Sequence, residues 1–217
     1  MIKACIFDLD GVIVDTAKYH FKAWERLARH LEIPFTEEDN EKMKGISRMD
    51  SLEIILGLGT KQYSERDKQK FCMTKNTWYL ESTQRMDAND ILPGIVDFIA
   101  HLKENNIKIA LGSASKNARL VLDIIGLKDA FEVIIDGNDV MNSKPDPEVF
   151  LKGATGLNVL PSEAIVIEDS AKGVDAAIAG GFHSIGIGID EHLSHASMVL
   201  PSLENITISD ISNRILV

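Results

Sequence analysis

Phe7-Asp8-Leu9-Asp10-Gly11-Val12 decides how this chain is read. Ahead of it, Ile2-Lys3-Ala4-Cys5-Ile6-Phe7 is a short apolar run of the kind that makes a buried strand. Two carboxylates then follow two residues apart, and in an extended backbone both would face the same side. Like charges this close oppose each other's ionisation unless a cation sits between them. Gly11 lets the chain turn sharply just beyond them. A lone Asp here would be read as a turn cap, but the whole stretch reads as chemistry.

Downstream, Asp15 or Thr16 can cap a helix over Ala17 to Leu31, with Phe21, Trp24, Leu27, Ala28 and Leu31 as its packed face. From there to Asn89 the pattern is helix and loop only. A helix starts at Thr36, a short one follows Ser47, and a longer one spans Ser64 to Glu81. From Ile91 the pattern alternates. Strands are expected at Ile107–Gly112, Phe131–Ile135, Ala164–Ile167 and His183–Ile187, separated by helices and followed by a weakly alternating tail that ends in a polar helix near Ser209. The expectation is an α/β fold: an open, mostly parallel, Rossmann-like sheet built from residues 1–15 and 89–217, with an all-helical cap domain of residues 16–88 inserted after the first strand.

Open parallel sheets place their sites at the carboxyl ends of the strands, and three more candidate stretches fall there. Ser113-Ala114-Ser115-Lys116-Asn117 offers hydroxyls and backbone amides at a helix start, suited to an anion. Lys144, held ahead of Pro145 and Pro147, is a cation in a stiff turn that can neutralise phosphate. Glu168 and Asp169 join Asp8 and Asp10 as hard oxygen ligands for Mg²⁺, with Asp169 the stronger ligand and Glu168 the weaker. In the helical insert, Lys44-Gly45-Ile46-Ser47-Arg48 is a basic loop running into a helix, and Arg48 can bind phosphate bidentately. His20 and Trp24 lie one turn apart on one helix face. Lys75 by itself reads as a solvated helix charge.

The totals set bounds. A chain of 217 residues, 45% hydrophobic and 26% charged, can bury a sizeable core. A formal net charge of -10 argues against nucleic-acid and anionic-membrane partners, so an anionic substrate needs a local cluster of cations or a metal. No apolar run approaches a membrane span. The opening run is too short, and too soon interrupted by Asp8 and Asp10, for a secretory leader. Cys5 and Cys72 read as buried or half-buried thiols rather than a disulfide framework, so a cytoplasmic setting is expected. No long apolar face suggests a dimer, and a monomer is expected. His192 and His195 read as surface histidines, and Gly186-Ile187-Gly188 as a strand end rather than a nucleotide loop.

The four strand-end stretches, in this order and with a helical insert after the first, resemble the haloacid dehalogenase superfamily of phosphotransferases. The resemblance implies that Asp8 is a nucleophile that becomes an aspartyl phosphate. It makes Asp10 the general acid/base, with a backbone carbonyl that helps hold Mg²⁺, one ion per active site. Ser113 and Lys144 would hold the phosphoryl group. Within that superfamily, Tyr19-His20-Phe21, Lys44 through Ser51 and Ser113 through Asn117 are similar to the β-phosphoglucomutases. What this implies is a Mg²⁺-dependent isomerase that interconverts β-glucose 1-phosphate and glucose 6-phosphate, with β-glucose 1,6-bisphosphate as activating intermediate. Lys44, Gly45, Ile46, Ser47, Arg48 and Ser51 would bind the phosphate remote from Asp8, with His20, Trp24 and Lys75 assisting closure over the phosphorylated hexose. Ala118-Arg119-Leu120 departs from that pattern. A sugar-phosphate or phosphoglycolate-type phosphatase is the rival enzyme. A catalytically silent phosphosugar binder would not need the Asp8, Asp10, Lys144 and Asp169 set.

Overall fold

In the computed structural model, which describes residues 1–188 and 191–215, six strands form one sheet in the order β3-β2-β1-β4-β5-β6. They are β1 (Ala4–Phe7), β2 (Lys108–Gly112), β3 (Val133–Ile135), β4 (Ala164–Glu168), β5 (His183–Ile187) and β6 (Met198–Leu200). Every neighbouring pair is parallel, with Cys5 opposite Ile109 on one side and Ile165 on the other. Parallel strands need crossovers, and helices supply most of them, covering both faces. Alternate residues of β1 therefore enter different cores. Cys5 and Phe7 pack with Phe98, Val121 and Ile211, whereas Ala4 and Ile6 pack with Phe150, Ala154 and Ala177.

The helices on the sheet are α5 (Ile95–Glu104), α6 (Ala118–Ile124), α7 (Glu148–Leu157), α8 (Ala171–Ala179) and α9 (Ile208–Ile215). Between β1 and β2 lie α1 (Ala17–His30), α2 (Glu37–Glu41), α3 (Arg48–Gly57) and α4 (Glu65–Thr83). These four form the inserted cap. It has its own core, in which Trp24, Leu27 and Ala28 of α1 meet Leu52 and Ile55 of α3 and Cys72 of α4. Ser47 and Ser64 cap their helices as their positions suggest, and Thr36 forms a capping box with Asp39. Phe21 is only partly buried and stacks on Phe35.

The strand order reverses at β1, whose neighbours are β2 and β4. A switch point of this kind opens a crevice at the carboxyl ends of the flanking strands. Asp8 leaves β1 there, and Glu168 and Asp169 stand at the end of β4. The fold thus brings residues 160 positions apart in sequence to one rim.

Three local expectations change. β1 ends at Phe7, and the backbone then folds back so that the amides of Ile13 and Val14 both donate to the Leu9 carbonyl. Asp8 and Asp10 both reach the cleft through that loop rather than along an extended strand. Thr16 begins α1 but makes no side-chain cap; its hydroxyl donates to Asp10 Oδ1 instead. The tail contains β6 and an amphipathic α9, whose Ile208 and Ile211 are buried in the main core, rather than a polar helix.

Candidate active site

At the end of β1, the carboxylates of Asp8, Glu168 and Asp169 bring oxygen atoms within 4.8 Å of one another. Lys144 reaches into this group, donating to Asp8 Oδ1 at 2.7 Å and to Glu168 Oε1. Lys144 and Glu168 are buried, so each charge depends on the other rather than on water. Burial opposes the charge on Lys144, but the flanking Asp8 and Glu168 outweigh it and raise its pKa. Glu168 Oε2 accepts from the amide and hydroxyl of Ser170, at 2.9 and 2.8 Å. Both Glu168 oxygens therefore have protein partners, while the Asp169 carboxylate forms no such bond among the described residues.

The negative charge in this group is under-compensated. Asp8 and Asp169 both have raised pKa values, first from burial and then from their carboxylate neighbours. Lys144 opposes the shift at Asp8, and Lys44 opposes it at Asp169. Three converging hard oxygen donors with one ammonium among them fit a divalent cation that takes oxygen ligands. Gly11 is required here, because its φ is +82° and a Cβ would overlap the Asp169 carboxylate.

The Asp10 carboxyl stands outside the three-acid group. It faces the cap, accepting from Thr16, with His20 Nε2 3.7 Å from Oδ1, beyond hydrogen-bond reach. Burial raises its pKa; the Thr16 hydroxyl, Lys75 and Lys144 oppose that shift. A carboxyl kept protonated above its ordinary range can donate a proton nearer neutral pH.

From the cap, Trp24, Lys44, Gly45, Ile46, Arg48, Ser51 and Lys75 line the cleft that Asp8, Asp10 and Asp169 line from below. Gly45 has φ +74°, and a Cβ there would strike Ser170, so the cap loop sits against the core where only glycine fits. Arg48 opens α3 half-buried and has no carboxylate partner among the described residues. The Ser51 hydroxyl donates to the Ser47 carbonyl at 2.9 Å.

Lys75 corrects the sequence reading most sharply. It is 2% exposed, not solvated. Its ammonium bonds His20 Nδ1 at 2.8 Å and lies 4.6 Å from the Trp24 ring centroid. Burial, then repulsion from Arg48, lowers its pKa to about 7, against the attraction of Asp10. Burial, then the Lys75 charge, hold His20 neutral; a Lys75 ammonium can only donate to Nδ1, which assigns the ring proton to Nε2, a buried nitrogen with no hydrogen-bond partner among the described residues.

At the end of β2, Ala114, Ser115 and Lys116 line the cleft. Ser113 lies behind it, its oxygen accepting from the Ser115 amide at 3.1 Å. Asn117 turns to the cap, where its side-chain amide donates to Asn76 Oδ1 at 2.8 Å. Ser47 and Lys144 line an adjoining pocket that shares Arg48, Ala114 and Lys116 with the first. The peptide before Pro145 is cis.

Residues 2–181 match the family profile of haloacid dehalogenase-like hydrolases. The chain is 40% identical over 209 residues to a β-phosphoglucomutase of Bacillus subtilis (strain 168), spanning 95% of this chain and 92% of that one. It superposes on a crystal structure of β-phosphoglucomutase from Clostridium difficile with a TM-score of 0.95 and 45% identity, covering 100% and 98% of the two chains. A phosphorylated carbohydrates phosphatase of Thermotoga maritima is 32% identical over 187 residues, 85% of this chain and 84% of that one. The chain belongs to the haloacid dehalogenase-like hydrolase family.

Several residues at this haloacid dehalogenase-like site escaped the sequence reading. Thr16 was visible only as a helix cap, and its hydroxyl six residues after Asp10 gave no other signal. Asn76 follows Lys75 directly and could have been found as the next polar residue of the same helix. Ala17, Asn40 and Met43 line the cleft without a chemical signature in the sequence. Away from it, His195 pairs with Asp175 at 3.1 Å, and both cysteines are buried free thiols. No helix among the described residues is long and apolar enough to cross a membrane.

Proposed function

We propose that this chain is a β-phosphoglucomutase, a phosphotransferase that interconverts β-D-glucose 1-phosphate and D-glucose 6-phosphate through an aspartyl phosphate and β-glucose 1,6-bisphosphate. One observation carries the proposal: the cleft and the pocket adjoining it have cationic groups on both sides, Lys144 in the core and Arg48 in the cap, and Arg48 faces no carboxylate among the described residues. A phosphatase needs one phosphate site, whereas a mutase must hold a bisphosphate at both ends. The relatives named β-phosphoglucomutase support the same reading.

In this reading residues 1–15 and 89–217 are the catalytic core and residues 16–88 the cap. The junction supports those limits, since Val14 pairs with Ile91 and the Asp15 amide donates to the Asp90 carbonyl. Asp90 also receives Lys18 at 3.1 Å and Tyr19 at 3.3 Å, tying the start of α1 to the returning chain.

Asp8 attacks the phosphorus of the bisphosphate and takes the phosphoryl group. Lys144 balances charge on the phosphoryl oxygens, and the backbone amides after Ser113 donate to them. Asp10, protonated, gives its proton to the departing sugar oxygen; as carboxylate it takes one from the free hydroxyl of a hexose monophosphate that attacks the aspartyl phosphate, and the bisphosphate so formed turns before the next transfer. Arg48, with Lys44, Ser47 and Ser51, holds the phosphate that is not reacting, assisted by Ser115, Lys116 and Asn117. Its binding energy favours the closed cap, which excludes water. Asp8, Asp169 and the Asp10 carbonyl would hold one Mg²⁺, with Glu168, whose oxygens are shared with Lys144 and Ser170, the weaker ligand. That ion would offset repulsion between the Asp8 carboxylate and the incoming phosphate.

The test is one assay in which β- and α-glucose 1-phosphate are each supplied with Mg²⁺ and a trace of bisphosphate. Glucose 6-phosphate and free phosphate are followed together. Glucose 6-phosphate from the β anomer with little phosphate release is expected. Steady phosphate release without glucose 6-phosphate would make the chain a sugar-phosphate phosphatase.

A further inference from the structure

Tyr79 lies one helical turn after Lys75 on α4, as Trp24 lies one turn after His20 on α1, so four side chains meet where the two helices pack. Tyr79 is fully buried and does not line the cleft. Its ring centroid is 4.3 Å from that of His20, at an interplanar angle of 37°, and 5.0 Å from Lys75 Nζ. The Lys75 ammonium thus has two aromatic rings and His20 Nδ1 around it, which are attractive contacts for a cation removed from water. The His20 ring is fixed from two directions, by Lys75 at Nδ1 and by Tyr79 against the ring. The Tyr79 hydroxyl has no hydrogen-bond partner among the described residues. An unpaired buried hydroxyl destabilises a fold, whereas a ring of the same shape without it does not. The useful part of Tyr79 is therefore its ring.

We propose that Tyr79 is a positioning residue for the phosphotransfer reaction: its ring holds His20 in the Nε2–H tautomer with that nitrogen toward Asp10, and keeps the Lys75 ammonium at the cleft. This rests on the mutase reading for its kinetic consequence, but not for its effect on His20. Tyr79 touches no reacting atom, and its influence passes through two side chains that line the cleft. Loss of the ring leaves Lys75 with one aromatic neighbour and frees the imidazole to rotate and exchange tautomers.

The test compares Tyr79→Phe and Tyr79→Leu in the full chain. Ring ¹⁵N shifts of His20, assigned with a His20→Gln control and measured without substrate, should show one Nε2–H tautomer in the wild type and in Tyr79→Phe, and a mixture in Tyr79→Leu. Tyr79→Phe should retain wild-type kcat. Tyr79→Leu should lose about tenfold in kcat, the scale of one aromatic contact, while transfer from acetyl phosphate to Asp8 is unchanged. If Tyr79→Leu does not fold, Tyr79→Met fills more of the same volume and carries the same expectations. A single unchanged tautomer in the Leu or Met variant would overturn the proposal. So would a Tyr79→Phe variant as impaired as Tyr79→Leu, since the hydroxyl would then be the working part. Absence of sugar-phosphate interconversion in the wild type would remove the mutase reading and leave the tautomer result to decide the positioning role.

Discussion

Replacing Lys75 by methionine should stabilise the protein, and by more in mild acid than in mild base. Lys75 is buried between α1 and α4, and its pKa falls from 10.5 to about 7 because burial and Arg48 disfavour the charge. A base with a lowered folded-state pKa is penalised fully below that value, where it is charged both folded and unfolded. As the pH rises from about 7 toward 10.5, the folded form binds fewer protons than the unfolded chain, and the penalty shrinks. At about 1.4 kcal/mol per pH unit, the penalty is about 5 kcal/mol at pH 6 and about 2 kcal/mol at pH 9. Methionine removes the charge and keeps the stem, but it gives up the bond to His20 and the contacts with two rings. Net gains from replacing buried charges by apolar side chains are about 1–4 kcal/mol. Urea melts of both proteins at pH 6 and pH 9 would measure the gain, and subtracting the wild type removes titrations common to both. The expected gain is larger at pH 6 by up to about 3 kcal/mol. An equal gain at the two pH values, or a larger one at pH 9, would refute the argument. The stabilised variant should also lose mutase turnover, as the closed cleft loses a cation.

Asp8→Asn should abolish turnover while leaving the thermal midpoint near or above that of the wild type, because one of the crowded carboxylates is neutralised; substantial mutase rate in this variant would displace Asp8 as the nucleophile. Asp169→Ala should eliminate the response of activity to added Mg²⁺ in a chelated preparation, and a rate unaffected by thorough chelation of the wild type would argue against the metal site. Arg48→Ala should reduce mutase turnover by about 10- to 100-fold, the value of one lost charge-assisted pair, while sparing transfer from acetyl phosphate. An equal loss in both assays would place Arg48 in the service of the core or the fold. Gly45→Ala should raise KM for the hexose phosphate, since φ +74° and the closeness of Ser170 leave a side chain no place; unchanged KM would mean that the cap loop does not need this approach.

Much of the fold was legible because its signals are local. Ala4–Phe7 and Ala164–Glu168 are buried along their whole length, and a strand covered on both faces reads as an unbroken apolar run. β6 was missed because Met198–Leu200 is three residues long at the sheet edge, with Val199 38% exposed. α9 looked polar because its two buried residues, Ile208 and Ile211, are spaced one turn apart among serines and charges. Asp8, Asp10, Lys144 and Asp169 were visible because strand ends in a parallel sheet are known meeting points. Lys75 was reached only through the family resemblance and read by itself as solvated, because burial of a helix lysine depends on which face of α4 meets α1. Tyr79 from the next turn of α4, and Trp24 and His20 from α1, decide that, and none of them adjoins it in sequence.

The same non-local logic explains why Asp10 is tied to the cap. Asp8 and Asp169 are supported from the sheet, but the contacts of Asp10 come from Thr16 and, at longer range, from His20 and Lys75. Thr16 is the residue before α1, and His20 is in its first two turns. Any rotation of α1 about the Val14–Ile91 junction must therefore change the surroundings of Asp10 while leaving those of Asp8 largely intact. In the proposed mechanism Asp8 would keep its support from the sheet throughout, whereas Asp10, as proton donor, would be completed from the cap side. The contact between Thr16 and Asp10 would then tune that donor. Thr16→Val keeps the shape and removes the donor, so Asp10 should lose the bond that opposes its raised pKa. The variant should lose mutase turnover and show a shifted basic limb in its pH profile, with the midpoint moved upward because the protonated carboxyl is favoured. A midpoint that moves downward or stays fixed would show that Thr16 does not set the proton affinity of Asp10.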